Sequence, residues 1–288
     1  MFNKSDRLIG LYSLLIHQIS PEGRVAGFHM LCCQGFEVKN YDFTLGRLAY
    51  GSLRLVQNPG VNTLKKTECN QSVLLFVRYP EKGRVKTRLE THLDQDKILS
   101  LYRYFVEDIL ATLHGNEYTV SVCYWPPEKG EDMQAWLGSS LAYCPQKGED
   151  IGQRMQNAFA DAFAKGVDQA ILLGSDFPDL DSVILDQAFH ALSDNEVILG
   201  PAVDGGYYLI GFNRSAFLKE IFSGISWGTG QVLKNTLEKI DHAGVRVHML
   251  PEWQDIDTFE DLQLFYKRAG RKGLEDLRTL QYLHSILS

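Results

Sequence analysis

The sequence predicts an α/β protein: a three-layer α/β/α sandwich around a mostly parallel mixed sheet. Short continuous apolar runs such as residues 72–78 and 170–173 suit strands buried on both faces. Segments with helical periodicity lie between them, and after residue 72 the two kinds of segment alternate regularly. The 288 residues are 44% hydrophobic and 23% charged, which excludes collagen-like, coiled-coil and wholly disordered classes. A formal net charge of -7 argues against broad nucleic-acid binding.

Residues 1–70 carry eight Lys/Arg against five Asp/Glu, a net +3 against -10 for the remainder. This asymmetry and the turn-rich Gln57-Asn58-Pro59-Gly60-Val61-Asn62 place a boundary near residue 70. The expected division is an N-terminal extension of unknown role, 1–70, and a domain spanning 71–288. Residues 8–16 superficially resemble a signal peptide behind Lys4 and Arg7. The small-residue cleavage pattern is missing and His17 follows directly, so a cytoplasmic protein is expected. Five cysteines, two of them adjacent at Cys32 and Cys33, suggest no disulfide framework and are read as reduced thiols. No apolar run reaches the roughly 18 residues of a membrane span.

The first buried strand is Ser72-Val73-Leu74-Leu75-Phe76-Val77-Arg78, stopped by Pro80. Leu101, Phe105 and Ile109 then recur at helical spacing, and residues 118–125 form the second strand, closed by Pro126-Pro127. Ile151, Met155, Ala158, Phe159, Ala162 and Phe163 share one face of an amphipathic helix that Gly166 ends. Residues 170–173 run into Gly174-Ser175-Asp176, after which Ser182 is expected to cap a helix through Leu185, Ala188, Phe189 and Leu192. Residues 196–199 and 207–210 form a strand pair, and 245–250 the last strand. Thr258 and Asp261 have the spacing of a capping box ahead of Leu262, Phe265 and Tyr266.

Ligands of such sheets bind beyond the carboxyl ends of the strands, so the exit loops carry the candidate chemistry. Five of the eleven residues from 78 to 88 are cationic. Gly83 permits a tight turn, free amides at the following helix start suit an anion, and Arg84, Lys86, Thr87 and Arg88 offer charge and a hydroxyl to phosphate oxygens. A solvated charged loop is the alternative. Asp176 is placed to hold a divalent cation against a diphosphate, or else to stabilise a turn before Pro178. Asp204-Gly205-Gly206-Tyr207 allows close approach of a ligand and equally suits a hairpin turn. Asp255 and Asp257 face one side of an extended segment, although Asp257 also suits a helix N-terminus. Gln146 and Arg154 could reach the same cleft, and Trp227 suits either a base or sugar platform or the core. Together these loops are an arrangement for clamping a nucleoside diphosphate with Mg²⁺ or Mn²⁺. Metal-ligand histidine spacing, Cys-x-x-Cys and the Walker loop are all missing.

Residues 76–89, including Arg78-Tyr79-Pro80-Glu81-Lys82-Gly83-Arg84-Val85-Lys86-Thr87-Arg88-Leu89, resemble the opening signature of a family of bacterial glycosyltransferases. That family was once catalogued as a domain of unknown function and is associated with radical-SAM/selenodomain proteins. Residues 146–155, Gly174-Ser175-Asp176-Phe177-Pro178, residues 200–211 and Asp255-Ile256-Asp257-Thr258 continue the resemblance in order. It implies the GT-A, nucleotide-diphospho-sugar transferase fold. The chain is also similar to guanylyltransferases that activate phospholactate or phosphoenolpyruvate. The resemblance implies that Gly83, Lys86, Thr87 and Arg88 bind nucleotide phosphates and that Asp176 holds the metal with Asp255 or Asp257. A single acid stands where the wider GT-A pattern has Asp-x-Asp.

The expected function is a metal-assisted glycosyltransferase using a nucleotide-diphospho-sugar and a small-molecule acceptor. Asp176 and Asp204 are its expected catalytic acids, Asp204 as base. Gln146 and Arg154 join the nucleotide site, while Gly205, Gly206, Tyr207 and Trp227 contact substrate. The alternatives are a nucleotidyltransferase acting on a small phosphorylated acid and a non-catalytic nucleotide-binding module. Neither nucleic acid nor a membrane span is expected.

Overall fold

The computed structural model describes residues 69–269 and 274–287 in full and the backbone of 270–272. Nearer the start it describes the backbone of four short strands: β1 (Ser13–Ile16), β2 (Phe28–Leu31), β3 (Phe43–Arg47) and β4 (Leu53–Gln57). The chain divides into two compact units, Met1–Glu68 and Cys69–Ser288. In the first, β1 pairs antiparallel with β2, and β3 with β4. Cys32, Cys33 and the expected turn after Gln57 lie outside the described residues.

The second unit opens with β5 (Gln71–Arg78), buried from residue 72 to 77. Val73, Leu75 and Val77 enter one core cluster while Leu74 and Phe76 enter another, the two-residue alternation of a strand covered on both faces. There follow α1 (Gln95–Leu113), β6 (Thr119–Trp125), α2 (Gly130–Leu137), β7 (Ala142–Pro145), α3 (Ile151–Ala164), β8 (Gln169–Leu173) and α4 (Ser182–Ala191). The chain continues through β9 (Val197–Pro201), β10 (Tyr207–Asn213), α5 (Val232–Ala243), β11 (Val247–Met249), α6 (Phe259–Lys272) and α7 (Arg278–Leu287).

Seven strands form one sheet in the order β11-β9-β10-β8-β5-β6-β7. Only β10 runs against its neighbours; β5 is parallel to both β6 and β8, and β7 follows β6. The expected α/β class and mostly parallel mixed sheet are therefore present. Parallel pairing brings the carboxyl ends of β5, β6, β7 and β8 to one edge.

Residues of α1, α2 and α4 share one core with one face of the sheet, and α3 packs on the other. Helix α1 has two apolar faces. Tyr102, Val106, Ile109 and Leu113 meet the sheet, whereas Ile98, Leu101 and Phe105 meet Phe265, Leu280 and Leu283 of α6 and α7. The stripe read from Leu101, Phe105 and Ile109 thus serves two cores, and α6 and α7 add a layer outside the sandwich.

Local signals set most boundaries. Asp94 accepts the Lys97 N–H at 2.9 Å at the start of α1, and Asp150 accepts the Gln153 N–H at 2.8 Å at the start of α3. Thr258 N–H and Oγ1 each donate to Asp261 Oδ2 at 2.8 Å, and the Asp261 N–H returns to Thr258 Oγ1 at 3.2 Å, closing the expected capping box. The cap of α4 differs from expectation: Asp181, not Ser182, accepts the Val183 N–H at 3.0 Å. Elements α2, β7, α5 and α7 have no counterpart in the sequence reading. Edge strand β7 is only Ala-Tyr-Cys-Pro, and the inward stripe of α5 is interrupted by Thr236.

The N-terminus of α7 is held from outside itself. Asp108, 4% exposed on α1, accepts the backbone N–H groups of Arg278 at 3.0 Å and Thr279 at 2.9 Å. Burial pushes its carboxyl pKa up, and the two amide bonds oppose that rise. Asp108→Ala strands both donors and is expected to lower stability by about 1–3 kcal/mol, read from urea unfolding midpoints.

Candidate active site

Beyond the carboxyl ends of β5, β6, β7 and β8 lies an open cavity of about 500 Å³. Its wall is built from strand exits: Arg78 ends β5, Trp125 ends β6, Gln146 follows β7, and Gly174, Ser175 and Asp176 follow β8. The loop after β5 folds over it with Arg84, Lys86, Thr87 and Arg88, and Asp257 arrives from the segment after β11. Five cationic side chains thus face two carboxylates in a protein whose overall charge is negative.

Lys86 is the centre of this arrangement. Its side chain is 5% exposed, with Nζ 2.6 Å from Asp176 Oδ1 and 2.7 Å from Asp257 Oδ1. The two acids are 81 residues apart in sequence. The Ile256 N–H donates to the Asp176 carbonyl at 3.2 Å, joining their loops through the backbone as well. Burial opposes the Lys86 charge, but Asp176 and then Asp257 override it, so its pKa lies above the ordinary value. Asp257 is pushed up by burial and pulled further down by Lys86 and Arg88, ending below the usual carboxylate value. Arg88 Nη1 lies 3.6 Å from Asp257 Oδ2 with most of its side chain in solvent.

The backbone accommodates this contact. Lys86 has φ 46° and ψ 40°, the left-handed region that costs an L-residue roughly 1–2 kcal/mol. It is the sole such non-glycine among the described residues. Gly83, at φ 68°, turns the loop just before it. After Lys86 comes one 3₁₀ turn, Thr87–Leu89, and α1 begins only at Gln95. The helix start expected to follow the loop directly is displaced. Lys82, the remaining cation of the loop, pairs with Asp96 at 2.7 Å and does not line the cavity.

The wall is locked from below. The Arg78 N–H donates to Tyr102 Oη at 3.0 Å, and Tyr102 Oη shares a 3.1 Å hydrogen bond with Ser175 Oγ. Burial, then the Asp176 charge, pushes the Tyr102 phenol up to about 12, so it remains a neutral strut between α1 and two strand exits. On the far side, the Arg154 guanidinium lies 3.5 Å from the Trp125 ring centroid, and Arg154 Nε donates to the Gly148 carbonyl at 3.1 Å. Arg154 is therefore turned into the cavity and not along the solvent face of α3. Burial, and then the nearby Arg78 charge, disfavour its cationic form. Arginine stays protonated regardless, so two cations face the cavity close together.

Several expected residues stand elsewhere. Asp204 Oδ1 accepts the Gly206 N–H at 2.8 Å in the turn between β9 and β10, and neither residue lines the cavity. Gly205, at φ 86°, packs against the Gly230 backbone, where an added Cβ would come within 3 Å. Tyr207 packs into the core beneath α3, and Trp227 lies against Gly152 of that helix. Gly83 is likewise outside the cavity wall. Asp255 is 7% exposed; burial, then the charges of Asp204 and Asp257, push its carboxyl up to about 6. Among the wall residues that escaped the sequence reading are Trp125, Ile151 and Tyr102. Trp125 had a usable signal, since it ends a strand just before Pro126-Pro127. Tyr102 had none. Among the described residues, no group of three or more His, Cys, Asp or Glu is arranged to hold a metal.

Residues 109–229 match the family model DUF2064, described as an uncharacterized protein conserved in bacteria. A proposed nucleotide-diphospho-sugar transferase from Desulfovibrio desulfuricans G20, known as a crystal structure, is 39% identical. Its alignment covers 75% of this chain and 94% of that one, with a TM-score of 0.73. The chain belongs to one family with that protein. A cytidylyltransferase from Leptospira borgpetersenii is 14% identical over 76% of this chain and 94% of its own, at a TM-score of 0.46. The inositol-1-phosphate CTP transferase of T. maritima is 15% identical over 73% and 98%, at 0.45. Both are too distant to bear on the reaction. No curated protein matches the sequence.

Lys86→Met leaves Asp176 and Asp257 facing each other without their shared cation. Because both keep more than a third of their side chains in solvent, the expected loss of stability is about 1–3 kcal/mol, below that of a fully buried pair. The folded-state pKa of Asp255, about 6, lies above its ordinary 3.8, so its ionisation penalises the fold. That penalty is absent below about pH 4 and complete above about pH 6. In the presence of a chelator, Asp255→Asn is expected to gain about 1–3 kcal/mol over the wild type between pH 4 and pH 7. A gap that narrows as pH rises contradicts the assignment.

Proposed function

We propose that the chain, as a member of this family, is a transferase acting on a nucleotide-activated donor, and that the group transferred is a sugar. The supporting observation is the cavity at the strand ends, where Arg78, Arg84, Lys86, Arg88 and Arg154 outnumber Asp176 and Asp257. A surplus of preorganised positive charge in a partly enclosed site suits a diphosphate, and it suits most the charge that grows on that diphosphate as it departs. Residues 71–288 constitute the proposed transferase domain.

Asp176 and Asp257 each direct a carboxylate oxygen at one point, the Lys86 ammonium. Two carboxylates completed by water and phosphate oxygens are a donor set that Mg²⁺ or Mn²⁺ accepts, so the acids fit such an ion. They would hold it in place of Lys86, with the Asp255 carboxyl near enough to feel the Asp257 charge. When bound, the ion would supply positive charge to the departing diphosphate. Lys86, freed from its carboxylates, and Arg88 would then hold phosphate oxygens, Lys as a point charge and Arg as a two-pronged donor. Arg78 would hold the remaining phosphate from the opposite wall, and Arg154, stacked on Trp125, would contact the rest of the nucleotide. Asp204, with Oδ1 tied to Gly206 and its side chain outside the cavity wall, is given no step in this reading.

The same surplus charge also suits a triphosphate, so nucleotidyl transfer is the competing reading. Incubation with UDP-sugars, GDP-sugars and free nucleoside triphosphates, each with Mg²⁺ or Mn²⁺, separates the two. Release of nucleoside diphosphate is expected; release of pyrophosphate would establish nucleotidyl transfer in its place. Asp176→Asn is expected to lower turnover at least ~100-fold while leaving the fold intact by circular dichroism. Nucleotide binding without turnover of any donor would mark a binding module.

A further inference from the structure

The end of the cavity away from Lys86 carries an unspent hydrogen-bond acceptor. Gln146 is 6% exposed and lines the wall. Its backbone N–H donates to the Tyr124 carbonyl at 2.9 Å, and its side-chain Nε2 donates to the Cys123 carbonyl at 2.8 Å. A carbonyl can only accept, so this bond fixes the orientation of the carboxamide: nitrogen toward β6, oxygen away from it. No described residue donates to Gln146 Oε1. A carboxamide more than nine-tenths buried, with its oxygen held ready and unused, is an arrangement that asks for a donor from a ligand.

The surroundings define that ligand. Gln146 shares the cavity wall with the Trp125 ring, on which the Arg154 guanidinium is stacked, and with Ile151, which is 38% exposed despite being apolar. Flat, stacked and apolar surfaces beside one acceptor match a heteroaromatic ring with an N–H on its edge. The strand order sets the distance to the charged end. Asp176 follows β8 and Gln146 follows β7, with β5 and β6 between them. Three inter-strand spacings are roughly 14 Å, the scale on which a nucleoside diphosphate separates its base from its terminal phosphate.

We propose that Gln146 is the base-reading residue of this site: its Oε1 accepts an N–H from the Watson–Crick edge of a nucleobase lying at the Trp125–Arg154 end, while the phosphates lie toward Lys86. This rests on the nucleotide-donor reading above. Guanine and uracil offer a ring N–H and adenine and cytosine an exocyclic amino group, so the contact concerns the edge itself.

Calorimetry on the full chain tests it. ADP, CDP, GDP, UDP and inorganic pyrophosphate are titrated first, and the tightest nucleotide is then repeated with its edge donor fully methylated. The wild type is expected to bind that nucleotide more tightly than pyrophosphate and to lose about tenfold on methylation. Gln146→Met is expected to weaken the unmodified nucleotide by a similar factor, leave pyrophosphate unchanged and no longer distinguish the methylated form. Equal binding of methylated and unmodified nucleotide by the wild type overturns the proposal, even if Gln146→Met fails to fold. Persistent discrimination by Gln146→Met overturns it as well. Pyrophosphate binding with no gain from a base removes the base contact and leaves the phosphate site standing, whereas binding of neither removes both.

Discussion

The molecule depends on one contact, a buried ammonium shared by two carboxylates. Lys86 comes from the loop after β5, Asp176 from the exit of β8, and Asp257 from the far end of the sheet beyond β11. A lysine buried alone would shed its charge, and two carboxylates brought together alone would repel. Each group makes the others tolerable. The contact also outweighs a left-handed backbone at Lys86 that no glycine relieves. Strain of this kind persists where surrounding structure over-determines it, and the two acids provide that determination.

The sheet supplies the second constraint. Parallel strands about 4.8 Å apart turn strand order into position, so residues leaving β8, β5, β6 and β7 stand along a line at one edge. Along it the chemistry changes from Asp176 and Lys86, through Arg78, to Trp125 with its stacked Arg154 and finally to Gln146. Charge is gathered at one end and flat apolar surface at the other. Tyr102 ties the β5 and β8 exits together from α1, which is itself clamped between the sheet and the outer pair α6 and α7. The outer layer thereby stiffens the wall of the cavity from behind.

Hydrophobic periodicity and capping chemistry made most of the fold legible. Residues 72–78 read as a doubly buried strand because their apolar run is continuous, and Thr258 with Asp261 announced α6 because a capping box is a purely local interaction. Helix α5 and strand β7 were not legible: Thr236 interrupts the stripe of one, and the other is four residues at an edge with little to bury. In the site, the exit rule located the loop of residues 78–88, Asp176 and Asp257, since it depends only on where strands end. It could not place Gly205, Tyr207 or Trp227, which have the composition of a ligand loop and are consumed by packing against Gly230, the core and Gly152.

The sequence by itself determined the class of the fold, the alternation that puts strand ends at one edge, and the supply of charged groups there, because these follow from local periodicity and residue type. Only the tertiary structure decided which charges meet. That Lys86 lies between acids from two distant loops, that Arg154 turns onto Trp125 and away from solvent, and that Gln146 keeps its oxygen free while its nitrogen is spent on Cys123 are outcomes of long-range packing. Such partners are separated by tens to hundreds of residues, and no pattern along the chain encodes the direction in which a side chain points once the strands are paired.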